Sequence, residues 1–523
     1  MNHIELFSGC GGLSLGLEKA GFTLKLANEL SPMASETFAY NLLNENLKEL
    51  GESDRKAERT FWISSRHDSL TKRLRENPLH YPELNEGISD IPSNINELKG
   101  NLVVGNIIHL NQLLAKNKKF SNALKTGFAS TGVDLVSGGP PCQSFSLAGL
   151  RKKDCDKNSL PWEFAQFVDH VRPKIVLLEN VTGILRPFKE DGISYHAWFE
   201  VSKAFAEKGY VPLCLHINAR LAGVAQNRPR FIMIGVRKNV FNEISKNFDE
   251  LETELFSYGL NLLKNCKKGV DTNITDFRYF DAQKPLDLHY FEESFLHNLV
   301  NKDQVSVEDA LGDIKFKHPD PVSNYIEQLN ETFSEIIPTD QPLSNHEPRN
   351  NNELVKRRFR IYQILNECDK PIRKEVTDVL KGKTTVLTDL AWSQLKGFKF
   401  LQEDGKLKKI KTAFDLVIFF QSHSTKKQTQ KALIRELPAP AALSIPDDGC
   451  HYDENELRTL TVREMARIQS FPDGYEFRSK VTTGGKMRRF EVPQYTQVGN
   501  AVPPLLGLAL GETIKELLDK TND

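Results

Sequence analysis

Cysteine is scarce and scattered in this chain of 523 residues: there are seven, at positions 10, 142, 155, 214, 266, 368 and 450, with no CxxC pair. That pattern excludes a disulfide framework and a thiolate zinc site, so no metal is expected. Net charge is also missing, with 69 Lys+Arg against 69 Asp+Glu. Any surface made for a polyanion must therefore be local and offset by acid elsewhere. No apolar run approaches the roughly 20 residues of a membrane span, and the opening MNHIELFSGCGG is not a signal peptide. The expectation is a cytosolic protein without membrane contact. Low-complexity tracts and internal repeats are lacking. The hydrophobic fraction of 39% belongs to an ordinary folded protein, and the length predicts more than one domain.

What is present alternates between strand and helix. His3–Phe7 reads as a strand, Ser8–Gly12 as a glycine turn, and Leu13, Leu17 and Ala20 recur at helical spacing, with Gly21 placed as the C′ glycine. Thr23–Ala27 is a second strand, closing on Asn28 and Glu29. Residues 41–99 are polar and aperiodic and read as an insertion. Strand-like runs return at Asn101–Val104, Val133–Ser137, Lys174–Leu178, Val211–Ile217 and Arg230–Val236, with a helical pattern at Trp162–His170. Such alternation predicts an α/β fold, a mostly parallel sheet with helices on its faces. The texture changes near residue 240, and residues 351–436 hold nineteen bases against ten acids. That surplus is either a DNA-binding surface or an unevenly charged solvated one. Order returns with Thr461-Val462-Arg463-Glu464, a capping box with Leu460 and Met465 as its hydrophobic staple. After Pro503-Pro504, Leu506, Leu510, Ile514 and Leu517 mark a closing helix.

Several segments carry chemistry. The turn around Gly9, Gly11 and Gly12 can bring backbone amides close to a ligand, and Glu29, twenty residues on from Gly9, is placed to accept from ribose hydroxyls. A merely structural glycine turn is the alternative. Cys142 follows Gly138-Gly139-Pro140-Pro141 at a strand's carboxyl end, where the prolines stiffen the loop that aims its sulfur. A thiolate there would be a nucleophile; the other six cysteines read as inert. Glu179, ending the Lys174–Leu178 strand, could meet the same substrate and donate a proton if desolvated. Arg228 and Arg230 alternate, so an extended segment puts both guanidinium groups on one face, suited to an anionic oxygen or a phosphate. Gln497–Pro504 offers an amide side chain and free backbone donors at the start of the last helix.

Taken in order, these segments resemble the DNA (cytosine-5)-methyltransferase family: the Phe7 turn, PCQ at Cys142, ENV at Glu179, QxRxR from Gln226, the RTLTVRE and RIQSFPD stretch from Arg458, and GNAVPP at Gly499. The resemblance anchors residues 1–240 and 455–523. It implies a Rossmann-like S-adenosylmethionine-dependent methyltransferase sheet over residues 1–240, a smaller irregular target-recognition domain over 241–450, and a C-terminal segment, 451–523, returning to the catalytic domain. It further implies S-adenosylmethionine as cofactor and S-adenosylhomocysteine as product. Phe7 would stack on the adenine, Gly9, Gly11 and Gly12 would approach the amino acid moiety, and Glu29 would bind the ribose. Asn106 stands where the family usually has Asp, and its carbonyl oxygen can accept from the adenine amino group. Ile107, Pro140, Leu160, Asn500 and Val502 complete the implied cofactor contacts. Cys142, Glu179, Arg228 and Arg230 would carry catalysis on carbon 5 of a cytosine flipped out of duplex DNA, with Arg230 on the base oxygen and Arg228 ordering the site. A restriction-modification type follows, with double-stranded DNA as partner, a cognate endonuclease alongside, a monomeric state and a prokaryotic, nucleoid-associated cytoplasmic location. The rival within the same framework is a tRNA cytosine-5 methyltransferase, against which stands the long variable region. The rival outside it is a non-catalytic DNA-binding regulator, against which stand Cys142 and Glu179.

Overall fold

The computed structural model describes residues 1–129, 131–141, 159–190, 193–424, 430–441, 445–446 and 449–521. Cys142 and Cys155 lie outside the described residues. No described helix is long and apolar enough to cross a membrane.

Among the described residues, nine strands form the main sheet: β1 (Asn2–Leu6), β2 (Thr23–Glu29), β3 (Thr60–Trp62), β4 (Asn101–Val104), β5 (Leu135–Gly138), β6 (Ile175–Val181), β7 (Tyr210–Asn218), β8 (Pro229–Arg237) and β9 (Phe280–Asp281). Their spatial order is β9-β7-β8-β6-β5-β1-β2-β4-β3. All pairings are parallel except those of β8, which runs antiparallel to both β6 and β7. From β1 the chain builds outward through β2 to β3 and β4, then returns to lay β5 on the other flank of β1. That reversal puts a crevice at the carboxyl ends of β1 and β5, where open α/β sheets bind ligands.

The local signals are read correctly where they are strong. The first helix, Gly12–Lys19, ends with Gly21 at φ 97°, where Gly21 N donates to Glu18 O and Phe22 N to Leu17 O, a Schellman closure. The Thr461–Glu464 capping box forms with both hydrogen bonds, and Leu460 and Met465 are buried in one cluster. The Trp162–His170 helix runs over Leu160–Val171, and the closing helix over Pro504–Asp519.

Two stretches behave differently from their sequence texture. Residues 41–99, read as an insertion, contribute β3 to the sheet's edge, and Trp62 is buried with Phe38, Leu102 and Val104. Residues 241–300, read as the start of the recognition domain, pack on the sheet: Leu255, Phe256, Leu262, Phe280 and Phe291 share its core, and β9 extends it beside β7. Acidic surface residues disguise this, because the apolar stripe of the helix Glu250–Lys268 is interleaved with them. A separate core holds Phe359, Ile364, Val376, Leu395, Leu416, Phe420 and Cys450.

The closing helix lies directly on the first one. A Cβ at Gly16 would come 2.4 Å from both Pro504 O and Leu508 N, and one at Gly511 would meet Ala20 Cβ at 2.5 Å. Glycine is required there by close backbone approach. Gly16→Ala is therefore expected to lower unfolding free energy by about 1–3 kcal/mol in urea denaturation. Gly397→Ala, with nothing within 4 Å of the added carbon, is the control and should be nearly silent; equal effects would contradict the contact.

Candidate active site

Register across the sheet assembles the site. Leu6 pairs with Asn28 on one side and Gly138 on the other, and Gly138 pairs with Leu178. One residue further along each strand, Glu29, Phe7, Gly139 and Glu179 therefore stand in a row across the carboxyl edge of the sheet. Val104 pairs with Glu29, so Gly105 and Asn106 continue the row, and β8 pairs Ile232 with Glu179, which brings Arg230 in at the opposite end.

The turn after β1 is held by this row. Phe7 adopts φ 54° and Gly9 φ 56°, and Gly9 N donates to Glu29 Oε2 at 2.8 Å while Ser31 N donates to Oε1 at 2.8 Å. Glu29 thus braces the turn after β1 through one oxygen and the turn after its own strand through the other, each keeping a lone pair for another donor. Burial is the main influence on Glu29 and raises its pKa. Only Gly9 of the three turn glycines has open space where a side chain would be. At Gly11 a Cβ would meet Leu42 Cδ1 at 2.7 Å, and at Gly12 it would meet Val502 O at 2.3 Å. Gly11 and Gly12 are therefore needed for packing against protein, and any cofactor contact they make goes through backbone atoms. Val502 is the group that Gly12 admits. Phe7 is half-buried with its ring edge-on to Phe164, centroids 6.4 Å apart, on the helix that Leu160 begins.

Asn106 caps the helix Ile107–Lys116, its Oδ1 accepting from Ile108 N at 3.0 Å. Its carbonyl is already engaged, which narrows the role expected for it to a second lone pair. Ile107 is buried, whereas Asn500 is exposed.

At the other end of the row Glu179 is 9% exposed, and Arg230 Nε lies 2.5 Å from Glu179 Oε1 as an ion pair. A Cβ on Gly139 would stand 2.8 Å from Glu179 Oε2, so the carboxylate needs a glycine beside it. Arg230 Nη1 donates to Pro229 O at 2.9 Å, and Nη2 makes no hydrogen bond among the described residues. Arg228 does something else. Its Nη2 donates to Gly499 O at 2.7 Å and Ala501 O at 2.9 Å, clamping the segment before the closing helix. Burial, then repulsion from Arg230, lowers the pKa of this guanidinium. The guanidinium expected to order the site thus meets backbone carbonyls of the C-terminal segment.

Sequence reasoning passed over three groups. Asn180 Nδ2 donates to Pro140 O at 3.0 Å, which fixes the buried proline two residues before Cys142. Gln497 ties Met33, Arg478 and Val492 through its amide and accepts from Thr37 Oγ1 at 2.6 Å. Glu5, beneath the turn, accepts from Ser14 Oγ. The first two stand inside motifs already noticed, so the signal was available; nothing local marks Glu5. Burial pushes the thiols of Cys10 and Cys214 up to about 12, in keeping with the inert reading given them.

The base-rich stretch 351–436 also resolves. Arg357 donates to His423 Nε2, Arg358 to His423 O, Arg360 to Lys399 O and Arg373 to Cys368 O. Those guanidinium groups are tied to the unit's own backbone and to His423, and Arg360 is buried. The exposed positive charge of this unit is carried by lysines such as Lys406, Lys409 and Lys411.

A family profile described as C-5 cytosine-specific DNA methylase matches residues 1–102 and 106–516. The type II methyltransferase M.Bpa9945I of Bacillus paralicheniformis is 27% identical over 99% of this chain and 99% of its own length. The type II methyltransferase M.DdeI of Desulfomicrobium norvegicum is 24% identical over 100% of this chain and 90% of its own. Among solved structures, the S. pombe Dnmt2 methyltransferase is 13% identical, covers 100% of this chain and 99% of its own, and superposes with a TM-score of 0.39.

Burial pushes the Glu5 carboxyl up to about 8 from its ordinary 4.5, against the Ser14 hydrogen bond. Between those values the unfolded chain ionises this group and the native chain keeps its proton, so its contribution to stability falls as pH rises. Glu5→Gln should remove that slope, gaining on the parent at pH 8 relative to pH 5 in urea denaturation. An unaltered pH dependence would contradict a protonated Glu5.

Proposed function

Because the chain belongs to the C-5 cytosine-specific DNA methylase family, we propose that it transfers a methyl group from S-adenosylmethionine to carbon 5 of a cytosine flipped out of a specific duplex sequence, through a covalent Cys142 adduct at carbon 6. The observation that carries this reading is the row at the sheet's carboxyl edge, running from Asn106 and Glu29 through Phe7 to Glu179 and Arg230.

The residues fit the cofactor. Open space at Gly9, the Glu29 carboxylate beside it and the Phe7 ring make a cradle for an adenosyl group, with Leu160, Ile107, Asn106, Pro140, Asn500 and Val502 as further contacts. S-adenosylmethionine supplies an electrophilic methyl group on sulfur when bound. Carbon 5 of cytosine is too weak a nucleophile to take it unaided. The Cys142 thiolate adds to carbon 6 while Glu179 gives N3 a proton or a hydrogen bond, and the resulting enamine directs its electrons to carbon 5. After transfer a base removes the carbon 5 proton and the thiolate leaves by elimination. Arg230 holds the base oxygen with its free Nη2, and its ion pair keeps Glu179 aimed at the ring. Asn180 holds Pro140, and Arg228 holds the C-terminal segment. Flipping costs a few kcal/mol of stacking and pairing, offset by groove and backbone contacts from the recognition unit. We assign that unit to the separate core built around residues 359–450.

The names of M.Bpa9945I and M.DdeI support a restriction-modification role, with a cognate endonuclease as functional partner and a monomeric, cytoplasmic enzyme working on the nucleoid.

Cys142→Ser is expected to abolish transfer of labelled methyl groups to duplex DNA, and DNA carrying 5-fluorocytosine should trap the parent enzyme covalently; transfer by the folded serine variant would refute the adduct. Glu179→Gln should lower kcat by about 10²–10⁴-fold, the usual reach of a general acid. Labelled methyl appearing in tRNA rather than DNA would instead favour the tRNA enzyme.

A further inference from the structure

Between the Phe471–Pro472 stop and the segment clamped by Arg228, the chain makes an excursion that the catalytic reading leaves without a role. Its base is fastened on both sides. Gln494 N donates to Lys480 O at 2.9 Å and Gln494 Nε2 to Ser479 O at 3.1 Å, while Glu491 accepts from Lys480 Nζ at 2.6 Å and from Thr483 Oγ1. The one acid between Lys480 and Gln494 is thereby committed: Lys480 and Thr483 hold the Glu491 carboxyl below its usual range in spite of partial burial. The tip is a short turn of 3-10 helix, Gly485–Arg489, with no buried residue. Lys486, Arg488 and Arg489 are all exposed, and none makes an ion pair with a described residue. Arg488 Nε donates to Thr483 O at 3.3 Å, which stiffens the tip and leaves the rest of that guanidinium free.

Three uncompensated cations on a fixed support stand out in a chain whose net charge is zero. They stand out further because Arg360, Arg373 and Arg435 of the 359–450 unit are engaged with Lys399 O, Cys368 O and Glu308. The excursion is joined to the segment that Arg228 clamps. The helix Gln494–Asn500 joins its base to the carbonyls that Arg228 clamps, and seven residues rise about 10 Å. Along B-DNA that distance spans about three base pairs, with one backbone charge per ≈ 1.7 Å of axis.

We infer that Lys486, Arg488 and Arg489 form a phosphate clamp, separate from the recognition unit, that grips the duplex backbone beside the target site. This rests on the DNA-methylating reading above. Backbone contacts position a protein on the duplex without reading sequence, so the clamp would serve all sites alike.

The test is the salt dependence of binding to a duplex containing the target word and to one lacking it, for the parent chain and for the triple variant K486A/R488A/R489A. Each lost phosphate contact lowers the slope of log K against log salt by about 0.9. Loss of three means that, between 50 and 200 mM salt, the variant's affinity falls about 40-fold less than the parent's. The preference for the target duplex should be preserved, because the clamp touches no base. An unchanged slope overturns the clamp while leaving the catalytic reading intact, since the parent still methylates DNA. A changed slope together with lost preference also overturns it, because the residues would then be reading sequence. A parent chain that neither binds nor methylates duplex DNA defeats both readings together. The three side chains are exposed, and an unaltered circular dichroism spectrum and melting temperature show that the variant folds.

Discussion

The contact on which the rest depends is backbone against backbone, between the first helix and the last. Gly12 and Gly16 face Val502, Pro504 and Leu508, and Gly507 answers with its own Cβ position 3.1 Å from Leu13 O. Two helices separated by almost the whole sequence become one layer on the sheet, sharing Leu13, Leu17, Leu506, Leu510 and Ile514 in its core. With its two ends joined, the intervening chain must leave and return at fixed points. The second core, around Phe359 and Phe420, can then be large and variable without disturbing the crevice.

The return path is secured by buried charge. Arg463 is wholly buried and donates to Ser344 O, Pro472 O and Tyr475 O. Arg467 binds Asp473 and Asp313, and Arg458 grips both oxygens of Glu464 at 2.7 Å. Despite full burial, the Arg458 hydrogen bonds hold the Glu464 carboxyl at about 2. Removing one partner from such a network leaves an uncompensated charge, which costs far more than the intact pair contributes. Tyr475 Oη then donates to Cys10 O and Gln497 reaches Met33, so the segment that carries the network ends against the glycine turn. Arg228 completes the closure from β8.

At the crevice the same economy of groups applies. Glu29 braces Gly9 and remains able to accept from a ligand; Asn106 caps a helix and keeps a lone pair; Asn180 fixes Pro140 from within the strand that presents Glu179. Each group holds its neighbour in place before any ligand arrives, which is what preorganisation requires. The opposed treatment of two carboxyls shows how environment rather than residue type sets charge. Glu5, buried with only a serine hydroxyl, is pushed up to about 8, whereas Glu464, buried against arginine, stays ionised.

Period and punctuation were enough to read the strands that carry Phe7, Glu29 and Glu179, the Gly21 helix end, the Thr461 capping box and the closing helix, because each rests on contacts within a few residues. The row of site residues followed from motif order. The sequence could not reveal β3 inside residues 41–99, or that residues 241–300 belong to the main sheet: an edge strand of three residues and a helix rich in surface acid leave no distinctive pattern, and their partners lie far along the chain. Nor could it show that Arg230 pairs with Glu179 while Arg228 is spent on two carbonyls, or which partners the arginines of 351–436 meet. Alternation places both arginines on one face, but what each guanidinium meets is fixed by strands and turns arriving from distant sequence, and only tertiary packing decides that.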